Sequence, residues 1–412
     1  MDAMEEPLRL TLTNYAYGGE AFARDDSGRV VFVPFSMTGE TVDVEIREAH
    51  KRWARAGLPT VIEPSPQRTI PPCKHFGLCG GCHYQHMSYA AQLQAKTQIV
   101  VDQLTRLGGL EAPTVLEAIP CPDPWRYRSR LSLHISPEGR LGYVTAAGDQ
   151  VFAIDECHLA SPAVDELWRS LDIEALEGVV RVDVQSDDAG GNMIVFYANV
   201  PPQQELEIGI QASLVWVTPE ASWILAGGEP LTFAVSDREF QVSAGSFFQV
   251  NRHLTPVLVE RALSYLEIES GETAFDLYAG VGLFSAFAAT RGAAVVAVEN
   301  SATACLDFEA NLENFEGVEL FESTVAQALP AIERHPDAVI ADPPRSGLGS
   351  EVVNAIVDKA PERLVYVSCD PATFARDAGG LASGGYSLVE CVPIDLFPQT
   401  YHIETVSVWR PA

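Results

Sequence analysis

A chain of 412 residues with 47% apolar content is long enough for two or three cored domains, and no apolar run approaches the roughly 20 residues of a membrane span. A net charge of −29 excludes a generally basic nucleic-acid-binding protein, but the charge is unevenly spread. Residues 1–130 hold 14 Lys+Arg against 15 Asp+Glu, and the remainder holds 13 against 41. Basic residues gather at Arg47, Lys51, Arg52 and Arg55, with His50 among them, and again at Arg126, Arg128 and Arg130. If the chain touches a phosphate backbone, the first third is the expected place; otherwise these clusters are a solvated basic surface. Met1 to Leu12 carries acids early and then alternates, which is not the pattern of a signal peptide. A cytoplasmic location is expected, where thiols stay reduced and clustered cysteines bind metal or do chemistry.

In chain order, residues 8–62 read as a small all-β module. Leu8, Leu10 and Leu12 alternate with polar residues, Gly18-Gly19 marks a turn, and Val30 to Val33 and Val42 to Ile46 are further strands. Pro59, Pro64, Pro66, Pro71 and Pro72 then predict a linker. Cys73, Cys79 and Cys82 follow within ten residues, the last two around a Gly-Gly that lets a loop wrap an ion or cluster. A fourth cysteine, Cys157, lies in Asp155-Glu156-Cys157-His158 beyond a β-rich segment. Four thiolates suit zinc or an iron–sulfur cluster, and sulfur ligation alone does not separate them. His75, His83, His86 and His158 leave a mixed-ligand zinc site open. Cys121, Cys305 and Cys391 have no such company and read as packing residues.

Residues 83–240 form a middle region. Gln85 to Gly108 has helical spacing, Leu131–Ile135, Arg140–Val144 and Val151–Ile154 read as hairpin strands, and Val179–Gln185 pairs with Asn192–Asn199. From about residue 241 strand and helix alternate, the pattern of a mostly parallel sheet. Strands are expected at Thr273–Leu277, Ala294–Glu299, Val318–Phe321, Ala338–Ala341, Leu364–Val367, Leu388–Pro393 and His402–Trp409. Helices fall between the first five, and a loop rather than a long helix leads the final two. Seven such strands fit the sheet common to adenosylmethionine-dependent methyltransferases.

The ends of these strands carry the chemistry-bearing residues. Asp276-Leu-Tyr278-Ala-Gly280-Val-Gly282 follows the first strand, and its glycines let backbone approach a ligand. Glu299 ends the second strand, where an acid can hold ribose hydroxyls. The absence of a phosphate-binding loop favours adenosylmethionine over a dinucleotide. Asp342-Pro343-Pro344-Arg345 ends the fourth strand in a loop stiffened by its prolines. Cys369, in Ser368-Cys369-Asp370-Pro371, ends the fifth. Methylating an exocyclic amine needs no thiol. Methylating carbon 5 of a pyrimidine does, because that carbon is a poor nucleophile until a thiolate adds to carbon 6. A base must then remove the carbon-5 proton, and Glu404 at the start of the last strand can face the same cleft.

Phe247-Phe248-Gln249-Val250-Asn251, Asp276 to Gly282, Asp342 to Arg345, Ser368 to Pro371 and His402-Ile403-Glu404-Thr405-Val406 together closely resemble the RNA uracil-C5 methyltransferase family, in the family's order. The resemblance covers nearly the whole chain and is weakest over residues 160–235. It implies that Cys369 is the nucleophile and Glu404 the base. It also implies that Gln249, Tyr278, Gly280, Glu299 and Asp342 bind adenosylmethionine or line its pocket. Phe247 would stack on the target uracil, with Asp342 and Arg345 holding the base or stabilising the developing enolate. Cys73, Cys79, Cys82 and Cys157 look like the [4Fe-4S] site of the 23S ribosomal RNA branch, with zinc the alternative. The N-terminal module looks like the TRAM barrel, an RNA-binding domain. The expected architecture is α/β: a TRAM-like barrel over residues 1–64, an iron–sulfur middle domain over 65–240, and a seven-stranded Rossmann-like methyltransferase domain over 241–412. The expected molecule is a monomer that methylates a uridine of ribosomal RNA and has no membrane partner. The alternatives are a transfer RNA substrate, or a non-catalytic, metal-stabilised RNA-binding or redox-sensing protein.

Overall fold

The computed structural model describes residues 7–171, 176–203, 209–228 and 230–412. The first six residues, part of the Met1 to Leu12 reading above, lie outside them. Two small sheets form the N-terminal barrel. Leu8–Thr11, Thr41–Val44 and Thr60–Glu63 make one; Asn14–Tyr15, Ala21–Arg24, Val30–Val33, Trp53–Ala56 and Ile46–Ala49 make the other. Alternation decides the inner face: Val31, Val33, Val42, Val44, Ala54 and Ala56 are buried, while Phe22, Phe32 and Trp53 stand half-covered on the outside. The expected Val42–Ile46 strand is two strands. The chain changes partner at Glu45, with Val42 opposite Val61 in one sheet and Ile46 opposite Ala56 in the other. The proline-rich segment is fastened rather than loose. Arg68 donates from Nε and Nη2 to the fully buried Glu40 carboxylate, at 2.6 and 2.7 Å, and Ser65 N–H donates to the same group.

The expected helix after the cysteines begins later than its apolar spacing suggests. It spans Tyr89–Arg106 because Ser88 Oγ caps it by accepting Ala91 N–H. Its Ala91, Ala95, Ile99, Val100 and Leu104 belong to an apolar core that runs from the barrel to one face of the C-terminal sheet. Gly108, after its end, lies where a Cβ would be 2.9 Å from the Ala375 carbonyl, so only glycine allows this approach to the helix Pro371–Ser383. Residues 114–119 then add to the edge of the C-terminal sheet, Leu116 N–H donating to Cys391 O and Ile119 N–H to Pro393 O. The chain between Cys82 and Cys157 thus visits the C-terminal unit before entering its own sheet. That sheet runs Val151–Ala153, Leu141–Val144, Arg130–Ile135, Val179–Ser186, Asn192–Ala198, Ser213–Val217, Ser222–Ala226. The helix Pro162–Ser170 packs Val164, Leu167 and Trp168 into its core.

The C-terminal sheet has seven strands in the order Val318–Glu322, Ala294–Glu299, Thr273–Leu277, Ala338–Ala341, Arg363–Ser368, Glu404–Pro411, Tyr386–Ile394. The first five in that order are parallel and the last two pair antiparallel. Central strands are buried on both faces, which is why they read as unbroken apolar runs. In chain order the Pro371–Ser383 helix precedes the sixth strand, Tyr386–Ile394, so the expected loop occurs only between it and the seventh, Glu404–Pro411, over residues 395–403. Strand order reverses between Thr273–Leu277 and Ala338–Ala341, and ligands bind outside the carboxyl ends of strands at such a switch point.

Candidate active site and cysteine cluster

On one side of the switch point, Glu299 organises the turn after the first strand. Its Oε2 accepts Gly280 N–H, and its Oε1 accepts Asn300 and Ser301 N–H, all at 2.8 Å. Gly282 has φ +90°, and a Cβ there would sit 2.3 Å from Leu312, so the turn needs glycine. Tyr278 holds the left-handed region at φ +65° without being glycine, a strained conformation of the kind found at ligand clamps. Tyr278, Glu299, Asn300, Ser323, Thr324 and Pro344 are among the residues lining a groove of about 430 Å³. Gly280 and Asp342 are not among them, nor is Gln249. It is buried on the loop between the Arg238–Val242 strand and the Thr255–Leu266 helix. Asp307 holds that loop by accepting from Ser243 and Ser246, as does Asn251 Nδ2, which donates to Leu396 O. Phe247 projects from the same loop, 63% exposed.

On the other side, Asp342, Cys369 and Glu404 converge. Ser368 pairs with Thr405 in the antiparallel ladder, so the next step of the register sets Cys369 opposite Glu404. Neither the Glu404 nor the Asp342 carboxyl accepts a hydrogen bond from any described residue, although Glu404 is only 3% exposed. Burial, and then the Asp342 charge, hold the Glu404 carboxyl well above the usual range. Burial and buried Asp276 push Asp342 up to about 7. Asp276 itself is pushed up to about 6 by burial, and its Oδ1 has no partner. Burial, then Glu404 and Asp342, raise the Cys369 thiol to about 12, and exposed Arg345 opposes them. A row of uncompensated acids in a cleft suits a cationic ligand, and a sulfonium is one.

The Asp342 loop is held by a residue the sequence gave no reason to choose. Buried Asp377 accepts N–H from Leu348 at 2.7 Å and Gly349 at 3.3 Å, and the Tyr366 hydroxyl at 2.8 Å. Thr373 Oγ1 donates to Arg345 O, and Arg376 donates to Ser346 O. The loop of Asp342 is therefore fixed to the helix that opens at Asp370, directly after Cys369. The segment leading to Glu404 is clamped as well. Buried Lys96 pairs with buried Asp395 and donates to Phe397 O, and Gln92 exchanges two hydrogen bonds with Gln399.

Cys73, Cys79, Cys82 and Cys157 line one cavity of about 730 Å³ between the barrel, the middle sheet and Tyr401-His402. Burial pushes Cys79 up to about 11 and Cys82 to about 12, with Cys157 adding to both, so these thiols need a cation to ionise together. Gly81 N–H points at Cys79 Sγ from 3.3 Å, a donor suited to a thiolate ligand. The Arg128 guanidinium lines the cavity with its Nε unpartnered. Around a single zinc ion thiolates lie about 3.8 Å apart. Among the described residues only Cys73, Glu156 and His158 bring three metal-donor atoms within 4.8 Å of one another; no three of the cysteines do. The histidines are divided: His75 faces Asp155 at 2.9 Å, His86 lies 3.3 Å from Ser36 O, and His83 packs on Tyr401.

Sheet order, glycine turn and acid-lined cleft define an α/β methyltransferase fold joined to an N-terminal β-barrel. Comparison with known proteins carries this further. Residues 229–410 match the model of the tRNA (uracil-5-)-methyltransferase family, and residues 7–58 match the TRAM domain. An RNA methyltransferase of Caldanaerobacter subterraneus subsp. tengcongensis is 30% identical over 98% of both chains. One from Halalkalibacterium halodurans is 31% identical over 97% of this chain and 96% of its own. The crystal structure of Pyrococcus abyssi tRNA (uracil-54, C5)-methyltransferase in complex with S-adenosyl-L-homocysteine superposes with a TM-score of 0.73 at 26% identity, covering 94% of this chain and 98% of that one. The chain belongs to the RNA (uracil-5-)-methyltransferase family: it is an enzyme that uses adenosylmethionine and carries a TRAM domain. This sets aside the non-catalytic reading. No helix among the described residues is long and apolar enough to cross a membrane.

Proposed function

We propose that the enzyme methylates carbon 5 of a uridine through a covalent bond between Cys369 and carbon 6. The observation that supports this reading is the ladder ending at Ser368 opposite Thr405, with Cys369 and Glu404 just beyond it, because carbons 5 and 6 are adjacent and need a nucleophile and a base side by side. The Cys369 thiolate adds to carbon 6, and the double-bond electrons move toward carbon 5 and the O4 enolate. Arg345, on the loop of Asp342, is the cation available to that oxyanion. Carbon 5 then takes the methyl group, its new bond replacing the sulfonium–methyl bond and leaving a neutral thioether. The Glu404 carboxylate removes the carbon-5 proton, the double bond re-forms, and Cys369 leaves as thiolate. A carboxylate made more basic by burial suits this last step.

Tyr278, Gly280 and Glu299 on the groove side, with Gln249 and Asp342, would hold adenosylmethionine. Phe247 is exposed where an extruded uracil could stack on it. On the barrel, the row Phe22, Phe32 and Trp53, with Arg55 over the Trp53 ring, offers stacking and charge to single-stranded RNA. Cys73, Cys79, Cys82 and Cys157 would hold a [4Fe-4S] cluster, which would order the middle region and need supply no electron. The proposed units are 1–64, 65–240 and 241–412, acting as a monomer in the cytoplasm.

The cysteine set favours 23S ribosomal RNA as substrate. A transfer RNA uridine is the second reading, favoured by the likeness to the Pyrococcus enzyme along almost the whole chain. Incubation with methyl-labelled adenosylmethionine and separate pools of unmodified ribosomal and transfer RNA, followed by nucleoside analysis, decides between them. Labelled 5-methyluridine in one pool names the substrate; label on any other nucleoside overturns the reaction.

A further inference from the structure

The Tyr17-Gly18-Gly19 turn of the barrel reaches the nucleophile loop. Tyr17 hydroxyl donates to Asp370 Oδ2 at 2.9 Å, across 353 positions of sequence. Its ring meets Tyr401 edge-on at 5.8 Å, and Tyr401 in turn contacts His402 and His83, each at 4.5 Å between ring centroids. Gly19, at φ +94°, is so close to this group that a Cβ would lie 3.3 Å from that of His83 and 3.4 Å from that of Tyr401. The seat is therefore specific: no larger residue fits beneath Tyr17 without moving its neighbours. Asp370 divides its oxygens between two tasks. Oδ1 caps the helix that follows, accepting from Ala372 and Thr373 N–H at 3.0 and 2.9 Å, and Oδ2 is left for Tyr17. Burial and the Asp370 charge keep the Tyr17 phenol protonated, so it stays a donor.

We propose that Tyr17 is a positioning residue for Cys369, through which the seating of the RNA-binding barrel sets the geometry of the nucleophile. The inference rests on the reading of Cys369 as nucleophile. The Tyr17 hydrogen bond fixes the carboxylate one residue beyond the thiol and draws its negative charge away from the sulfur that must ionise. The barrel is thereby part of the active site as well as a handle for RNA.

The test is the rate of adduct formation on ribosomal and transfer RNA transcripts in which 5-fluorouridine replaces uridine. Fluorine at carbon 5 blocks the final proton removal, so the adduct accumulates and is counted on a denaturing gel. Tyr17→Phe keeps the ring packing and removes only the donor. At saturating RNA it should slow adduct formation by roughly 10-fold, with the affinities for RNA and adenosylmethionine within about 2-fold of wild type. Asp370→Asn should also be slower, and the double variant should be no slower than the worse single, since the two act through one bond. An unchanged rate in Tyr17→Phe overturns the proposal, as does a loss confined to RNA affinity. Absence of adduct in wild type would instead overturn the nucleophile reading itself, and this proposal with it.

Discussion

Cys369 and Glu404 flank the last rung of one antiparallel ladder, Ser368 opposite Thr405, near enough for the Glu404 charge to act on the thiol. The sixth and seventh strands follow the parallel set, and the reversal of direction brings the start of the seventh beside the end of the fifth. Side chains directly opposite in such a ladder point to the same face, with Cβ atoms about 5 Å apart. The fold thus delivers a thiol and a carboxyl to one spot from positions 35 apart in sequence, with Asp342 added from the neighbouring fourth strand.

This geometry separates the two halves of the reaction. Glu404→Gln keeps the size of the side chain and removes the proposed base. It should transfer one methyl group and then stall, giving a band of enzyme joined to methylated RNA that survives denaturation. Cys369→Ala should give neither band nor product while adenosylmethionine still binds. Equilibrium binding and a labelled-methyl gel read both, and free 5-methyluridine product from Glu404→Gln at the wild-type rate would assign the base elsewhere.

The electrostatics of the cleft predict how the thiol titrates. In cofactor-free enzyme Cys369 lies well above an ordinary thiol because burial, Glu404 and Asp342 all oppose its charge. Its alkylation by iodoacetamide should therefore be slow at pH 8 and still rising with pH at 9.5. Glu404→Gln removes one opposing charge and should move the profile toward lower pH. Mass spectrometry of the Cys369 peptide measures this, and a profile that Glu404→Gln leaves in place would mean the two groups do not interact.

Strand positions in the C-terminal unit were legible because central parallel strands are apolar on both faces and end at an acid or are followed within three residues by Gly, Pro or an acid. The middle sheet was only half legible. Ser222–Ala226 alternates between exposed and half-buried residues at an edge, a pattern too weak to set it apart from loop. Cys369 and Glu404 could be picked out at strand ends, but their opposition is a fact of register, which residue spacing does not contain. Asp377 and Tyr17 had no local signal at all. Each acts on a loop remote in sequence, Asp377 on the backbone after Asp342 and Tyr17 on Asp370. The prolines before Cys73 suggested a free linker because nothing nearby in the chain betrays the Arg68–Glu40 pair.

The cysteine cavity predicts a visible chromophore. Enzyme purified without oxygen should absorb broadly near 400 nm and contain iron and sulfide, and Cys79→Ser should bleach that band. Because His83 and Tyr84 N–H both donate to Gln399 O, disorder in the cysteine loop should reach the segment ahead of Glu404. RNA affinity should fall more than adenosylmethionine affinity. A colourless protein carrying zinc would reassign the site.

Lys96 and Asp395 test the clamp on that same segment. Both are buried, and removing one partner of such a pair leaves the other charge without compensation, at a loss of about 3–5 kcal/mol. Lys96→Ala should lower the thermal midpoint by about 10 °C. Replacing both residues by apolar ones of similar size, Lys96→Met with Asp395→Leu, should recover most of it. A loss in Lys96→Ala within about 0.5 kcal/mol of zero, the range of ordinary surface changes, would show that the pair does not fasten the 395–403 loop.

Asp342 links stability to pH with a definite sign. Its carboxyl is held up to about 7 by burial and by Asp276, above its value in the unfolded chain. A raised folded-state pKa means the native protein binds the proton more tightly. The stabilisation is complete below about pH 4 and is lost as pH rises through about 7. Above that, cofactor-free enzyme carries a half-buried charge with no donor. Asp342→Asn removes this burden and should melt higher than wild type at pH 8, by about 2–4 °C for each kcal/mol relieved. The gap should be smaller at pH 5.5. Saturating adenosylmethionine should narrow it at pH 8, because its cation compensates Asp342 in the wild type alone. Methyl transfer should be lost in the variant throughout. Differential scanning calorimetry at the two pH values, with and without adenosylmethionine, gives all four numbers. A pH-independent gap would mean that Asp342 is not the group that titrates.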